Sequence, residues 1–246
     1  MAIFDRYPAQ NQPRWSAAQP AADQAIFDLG LRSHMLRVYN FMTLGLGVTG
    51  LVALAVAATP ALSALIFGTP LKWVVMLAPL VFIFVLSWRF ERLSSSKLQM
   101  LFWVFCGLMG LSMASVFLVF TGASVARVFF ITAAMFAATS LYGYTTKKDL
   151  SKMGSFMVMG MIGIVIASLV NIFLASSALQ FAISVIGVIV FTGLTAWDTQ
   201  RIRAEYSEHY GHEANTKLAV MGALSLYLNF INLFQMLLHL MGNREE

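Results

Sequence analysis

Charged residues are scarce in this chain: Asp, Glu, Lys and Arg make up 11% of its 246 residues, against about 25% in a soluble domain. Apolar residues make up 59%, and the mean hydropathy is +0.76. A chain this poor in polar groups cannot cover its surface against water, so lipid has to be its solvent. The sequence therefore predicts an integral membrane protein.

Cysteine is almost absent, since Cys106 is the single one and lies inside an apolar run. This excludes an intramolecular disulfide and a cysteine-based metal cluster. The net charge of +5 would suggest nucleic acid as the partner of a soluble protein. Here the basic residues lie at the ends of apolar runs, so we expect anionic lipid as their counterpart and no nucleic-acid partner.

Patterns that indicate catalysis are also lacking. Gly45, Gly47 and Gly50 match G-x-G-x-x-G, but they lie inside an apolar run without a preceding strand, so helix packing explains them better than nucleotide binding. His209 and His212 lie among acidic residues and could hold a divalent metal, although a solvated loop is the simpler interpretation. We expect no enzymatic activity and no resident cofactor.

What the chain does contain is apolar runs of membrane-spanning length. A helix needs about 20 apolar residues to cross about 30 Å of hydrocarbon. Seven such runs cover residues 38–58, 71–90, 98–121, 125–144, 155–174, 179–197 and 218–241. They predict an all-α membrane protein with seven transmembrane helices, whose connections are short apart from residues 59–70 and 198–217.

The polar N-terminal segment carries Pro8, Pro13 and Pro20. We interpret residues 1–30 as a flexible cytoplasmic tail that becomes helical near residues 23–37, and residues 31–246 as the seven-helix transmembrane domain.

Positive charge predicts the orientation. With the N-terminus in the cytoplasm, all of the 16 basic residues except Lys72, Arg127 and Arg244 fall on the cytoplasmic side. This asymmetry follows the positive-inside rule. It indicates a multi-pass protein of the cell (inner) membrane with a cytoplasmic N-terminus.

Asp198 is the acidic residue that ends an apolar run without a basic cluster before it. It is either an interfacial carboxylate paired with Arg201 or Arg203, or a partly buried carboxylate that gates or binds a cation. The seventh run carries a stripe of polar residues on one helical face. These are Ser225, Asn229, Asn232, Gln235 and His239. Since lipid offers polar groups no partners, the stripe either lines an interior path or binds neighbouring helices by hydrogen bonds.

Three segments, 141–151 (LYGYTTKKDLS), 184–202 (SVIGVIVFTGLTAWDTQRI) and 224–234 (LSLYLNFINLF), resemble the Bax-inhibitor family in its bacterial form. The resemblance covers roughly residues 28–241 in order. It implies six helices around a central seventh, a pH-sensitive calcium leak and a protective role in stress. It also implies two aspartates that share a proton near the cytoplasmic mouth, together with a basic residue of the second span, for which Arg89 is favoured over Arg92.

This sequence departs from that pattern at Asn229. Asp198 matches the first of the family's two carboxylates, whereas Asn229 occupies the place of the second. An amide can hydrogen-bond Asp198 and can offer its carbonyl oxygen to a cation, but it does not titrate. Because of this substitution, the resemblance implies that the family's coupled two-carboxylate switch is absent or weaker in this chain.

Two functional hypotheses follow. In the first, the bundle is a pH-modulated leak pathway for calcium or another cation, with Asp198 as the gate and a cation contact, Asn229 and Asn232 as polar wall, and Arg89 as the basic partner. In the second, the protein transports nothing and acts as a stress-protective regulator. It would then bind a membrane protein, such as a quality-control protease, through its tail and cytoplasmic loops.

Overall fold

The computed structural model describes residues 19–89, 92–207 and 209–244, with side chains from Phe27 onward except those of Ser87 and Arg89. This part of the chain is all-α, with one isolated β-bridge between Phe120 and Arg244. Its helices are α1 (Gln19–Ala57), α2 (Pro60–Phe67), α3 (Leu71–Arg89), α4 (Ser95–Val119), α5 (Gly122–Thr145), α6 (Ser151–Leu174), α7 (Ser177–Glu205) and α8 (His212–Met241).

Within the described residues, six of these helices are long and apolar enough to cross a membrane, and the pair of α2 and α3, bent by 81°, adds a seventh if it is counted as one span. The all-α membrane architecture is thus confirmed, with seven spans when the bent pair counts as one. The expectation that residues 59–70 form only a connection was wrong. Pro60 occupies the first turn of α2, where its fixed φ favours a helix and its missing N–H costs nothing.

The three helices that extend furthest beyond their apolar runs do so at one end of the bundle. Helix α1 begins at Gln19, α7 continues to Glu205, and α8 begins at His212. Backbone hydrogen bonds continue into polar sequence, so hydropathy marks the depth of the lipid rather than the ends of helices. Within the predicted tail, residues 1–18 lie outside the described residues, and residues 19–30 belong to α1.

The last helix is the centre of the bundle, as predicted. In its most apolar stretch 67% of the residues are buried, against 6% to 39% in the other five span helices. It packs against α1, α4, α5 and α7, while α3 packs on α4 and α6 packs on α7. The helices around α8 therefore form an inner group of four and an outer pair.

A buried tyrosine anchors α8 to its neighbours. Tyr227 is fully buried, and its hydroxyl lies 2.6 Å from Thr49 Oγ1 of α1. Thr49 also donates to the carbonyl oxygen of Cys106 in α4 over 3.0 Å. Because a phenol hydroxyl in an apolar core needs a partner, this contact specifies how α1, α4 and α8 are aligned.

The described chain starts and finishes at opposite ends of the bundle. Arg37 of α1 donates to Thr216 at the start of α8 over 3.0 Å. At the other end, the backbone N–H of Thr121 donates to the carbonyl oxygen of Asn243 over 3.1 Å. The end where α7 finishes and α8 begins is called the Asp198 end below.

Helices α5 and α7 approach each other closely at Gly143. A Cβ atom at this position would overlap the carbonyl oxygen of Ala196. One turn away, the hydroxyl groups of Ser140 and Thr199 lie 2.9 Å apart. Glycine is required here because two backbones meet, and the contact places α7 in register with α5.

We therefore expect Gly143→Ala to destabilise the purified protein by about 1–3 kcal/mol through overpacking. The same substitution at Gly163 is the control, because a Cβ atom there meets no other atom within 4 Å and alanine favours a helix. Thermal unfolding in detergent should show a lower midpoint for Gly143→Ala and an unchanged or higher one for Gly163→Ala. Equal midpoints would contradict the close approach.

Candidate functional site

Asp198 lies inside the bundle rather than at its surface. It is 4% exposed and is followed on α7 by two further turns of helix that end at Glu205. Its partner Ser225 lies about 20 Å along the axis of α8 from His212. The carboxylate thus lies between two helices well below their ends.

Three side chains satisfy this carboxylate. Oδ2 accepts hydrogen bonds from Ser225 Oγ and from Asn229 Nδ2, both over 2.7 Å. Oδ1 lies 2.7 Å from Nη2 of Arg201, one turn later on α7. The structure therefore brings Asp198 and Asn229 together, and of the two arginines suggested by the sequence it pairs Arg201 with the acid.

Arg201 covers the carboxylate on the side of the Asp198 end. Its side chain is 40% exposed while that of Asp198 is 6% exposed. The guanidinium lies 5.0 Å from the centre of the Trp197 ring, and its Nε lies 3.8 Å from Glu205 Oε1. Arg201 is thus held from several sides, yet it reaches the surface and is the outermost group on the acid.

Burial of an unpaired carboxylate is costly, and removing the partner of a buried pair leaves an uncompensated charge. The pair with Arg201 and the donors Ser225 and Asn229 offset that cost. Each oxygen of the carboxylate thus has at least one donor in the folded protein.

The side chains around Asp198 include oxygen atoms that could contact a cation. Hard cations take carboxylate, hydroxyl and amide oxygens, and Asp198, Ser225 and Asn229 carry one of each kind. Asn229, however, turns its N–H toward the acid. No group of three His, Cys, Asp or Glu side chains converges as a metal site among the residues with described positions. This holds for the cluster around His209 and His212, of which Glu208 lies outside the described residues.

The remaining predicted site residues lie elsewhere. Asn232 is half-buried and donates to the carbonyl oxygen of Leu228 on its own helix over 2.8 Å. Arg203 donates to the carbonyl oxygen of Tyr144 over 2.8 Å. Arg89 ends α3, but its side chain lies outside the described residues, so its role as the basic partner stays a prediction. Among the described side chains, Arg201 is the basic group that contacts Asp198.

A second polar connection was not anticipated from the sequence. The hydroxyl of Tyr39 in α1 lies 2.6 Å from Ser140 Oγ of α5, which in turn contacts Thr199 of α7, the residue after Asp198. Single hydroxyl groups in apolar runs show no periodic pattern, so nothing in the sequence pointed to this chain of contacts. It links three helices beside the buried acid.

The termini of the inner helices are also connected at the Asp198 end. Glu213 accepts from the backbone N–H and the hydroxyl of Ser95, at 2.7 Å and 2.8 Å, which satisfies orphan donors at the start of α4. Gln200 accepts from the N–H of Leu150 and donates to the carbonyl oxygen of Lys148, both over 2.8 Å. These contacts fasten α8 to α4, and α7 to the connection before α6.

Comparison with known proteins agrees with this architecture. The family model described as "Inhibitor of apoptosis-promoting Bax1" matches residues 31–246. The protein RP147 of Rickettsia prowazekii is 48% identical over 220 residues, covering 89% of this chain and 93% of the relative. A protein of Caulobacter vibrioides is 47% identical over 235 residues, covering 92% and 94%.

A third relative, the inner membrane protein YbhL of Escherichia coli K12, is 44% identical over 249 residues, covering 98% of this chain and all of YbhL. The family match spans every helix that surrounds Asp198, and the relatives align over nearly their whole length. The chain therefore belongs to the Bax inhibitor family.

Proposed function

We propose that this protein is a slow, normally closed leak pathway for cations, calcium foremost, with Asp198 as its gate. One observation carries the proposal: a carboxylate buried in a membrane bundle is held by an arginine that itself reaches the surface. Ionisable groups at membrane depth are costly and typically serve ion pathways. No catalytic role is proposed for the site.

The orientation proposed here places the Asp198 end in the cytoplasm and the protein in the inner membrane. The Asp198 end carries Arg37, Lys148 and Lys217, as their contacts and their positions on the chain show. The opposite end carries Lys72, near the start of α3, and Arg244, which forms a β-bridge with Phe120. Basic residues favour the cytoplasmic side. The name of the Escherichia coli relative supports the membrane assignment.

In the proposed gating step, a metal cation replaces the guanidinium of Arg201 as the partner of the Asp198 carboxylate. In the closed state Arg201 neutralises Asp198, and the fully buried Tyr227 fills the centre of the bundle. When Arg201 leaves, the carboxylate attracts a cation from the aqueous phase, with Asn229 as a neighbouring neutral oxygen donor. Because Asn229 adds no negative charge, the attraction is that of a single carboxylate, and the leak is slow.

The two members of the ion pair should act in opposite directions in calcium-loaded vesicles. Asp198→Asn removes the attraction and leaves Arg201 to repel cations, so calcium efflux should fall severalfold. Arg201→Gln frees the carboxylate, so efflux should rise severalfold. Asp149→Asn and Lys152→Gln, which change exposed charges at the same end, are the controls and should match the unmodified protein. Efflux equal to that of empty vesicles at every pH would refute the leak.

Replacing the amide tests the pH dependence. In Asn229→Asp two carboxylates lie within hydrogen-bonding reach, and they cannot both ionise freely, so one of them binds a proton more tightly. Calcium efflux should then depend more steeply on pH than in the unmodified protein. Asn232→Asp is the matched control, because Asn232 lies one turn away and bonds to its own backbone. An identical pH profile for both variants would contradict the role of Asn229.

A second candidate function is that of a regulator that binds another membrane protein and transports nothing. Asn229 favours it, since the amide turns the site into a fixed hydrogen-bonded contact. On this alternative, in-cell cross-linking should capture a membrane protein, and deletion of residues 1–27 should abolish the capture. A partner captured equally well by the shortened and full chains would contradict binding through the tail, and calcium efflux would exclude a purely regulatory role.

A further inference from the structure

A long groove runs between α1 and α5. Helix α1 packs mainly on α4 and α8, and α5 packs on α7 and α8, so the two helices flank an open space with Phe230 of α8 at its floor. The part nearer the Asp198 end has a volume of about 880 Å³. A second part of about 380 Å³ continues toward the other end and shares Leu46, Phe129 and Phe230 with the first.

The lining of this groove changes along its length. At the Asp198 end it carries the charged side chains of Asp28, Arg32 and Arg203. Deeper in the membrane it is lined by apolar side chains such as Met42, Leu46 and Phe129. The groove is therefore net positive at one end and apolar along the rest. This pattern complements a molecule with an anionic headgroup and a hydrocarbon chain.

The dimensions of the groove agree with one leaflet of a bilayer. From Arg32 to Leu46, α1 rises about 21 Å. Half of the hydrocarbon core is about 15 Å thick, so an acyl chain that reaches Leu46 has its headgroup near the level of Arg32. The guanidinium groups of Arg32 and Arg203 are suited to a phosphate, since their planar forks donate in pairs.

Side chains of α1 and α5 touch each other within the groove. Tyr39 of α1 and Ser140 of α5 both line it, and their hydroxyl oxygens are only 2.6 Å apart. A transmembrane helix with side chains is about 10 Å across. The much thinner acyl chain of a lipid can lie over this contact between the two helices.

We propose that this groove binds one anionic phospholipid of the leaflet at the Asp198 end. Its phosphate lies between Arg32 and Arg203, and one acyl chain follows Met42, Leu46 and Phe129 toward the middle of the membrane. The bound lipid would complete the surface between α1 and α5, where protein packing is open. The proposal does not depend on ion conduction.

Native mass spectrometry of the full chain in detergent, titrated with phosphatidylglycerol or phosphatidylcholine, tests the proposal. We expect one tightly bound phosphatidylglycerol per chain and weaker binding of phosphatidylcholine. The double variant Arg32→Gln, Arg203→Gln should bind phosphatidylglycerol at least about tenfold more weakly, since it loses charge-assisted hydrogen bonds. The control pair Lys97→Gln, Lys152→Gln changes exposed charges at the same end outside the groove and should bind as the unmodified chain does.

A second variant tests the apolar part. Ala133 lines the groove, whereas the adjacent Ala134 is exposed and does not. Ala133→Phe should weaken the binding of phosphatidylglycerol, and Ala134→Phe should not, with thermal unfolding used to check that both variants fold. Equal binding by both phenylalanine variants, equal binding of the two lipids, or a bound protein helix in place of lipid would overturn the proposal.

Discussion

The structure depends on a single requirement: the carboxylate of Asp198 is removed from water, so protein groups must replace its hydration. That requirement ties α7 to α8, because Ser225 and Asn229 of α8 supply two donors and Arg201 of α7 supplies the counter-charge. These interactions stabilise the fold more in a bundle surrounded by lipid than they would at a water-exposed surface. Without these partners the buried carboxylate would have no water to hydrate it. Its hydrogen bonds to Ser225 and Asn229 therefore hold α7 and α8 together at the site.

The same requirement explains why α8 is central. A helix with a polar stripe must be enclosed when lipid surrounds the bundle, and α8 is the most buried span. Helix α6 shows the reverse: it carries few polar residues, packs mainly on α7 and leaves most of its side chains to lipid. Close packing through Gly143 and the buried hydroxyl of Tyr227 then align the inner helices around α8. Polarity thus sorts the helices into inner and outer positions.

Helix α1 joins the proposed gate to the proposed lipid site. Tyr39 lines the groove and contacts Ser140, which contacts Thr199 next to Asp198. The gate and the groove therefore share one wall, built from hydroxyl contacts between α1, α5 and α7. Through these contacts the lining of the groove is connected to the residue next to the buried acid.

The sequence by itself determined the architecture, because hydropathy, run length and the position of charges are properties of the chain alone: the spans and the central seventh helix could be predicted. The roles of Asp198 and Asn229 stay predictions, although the two side chains do lie in contact. It missed α2, since hydropathy does not distinguish a short helix from a turn. Only the tertiary structure decided that Arg201 rather than Arg203 binds Asp198, that Asn232 bonds to its own backbone, and that a groove separates α1 from α5. Those facts depend on which helices face each other, and distances between helices are not encoded in the periodicity of any one of them.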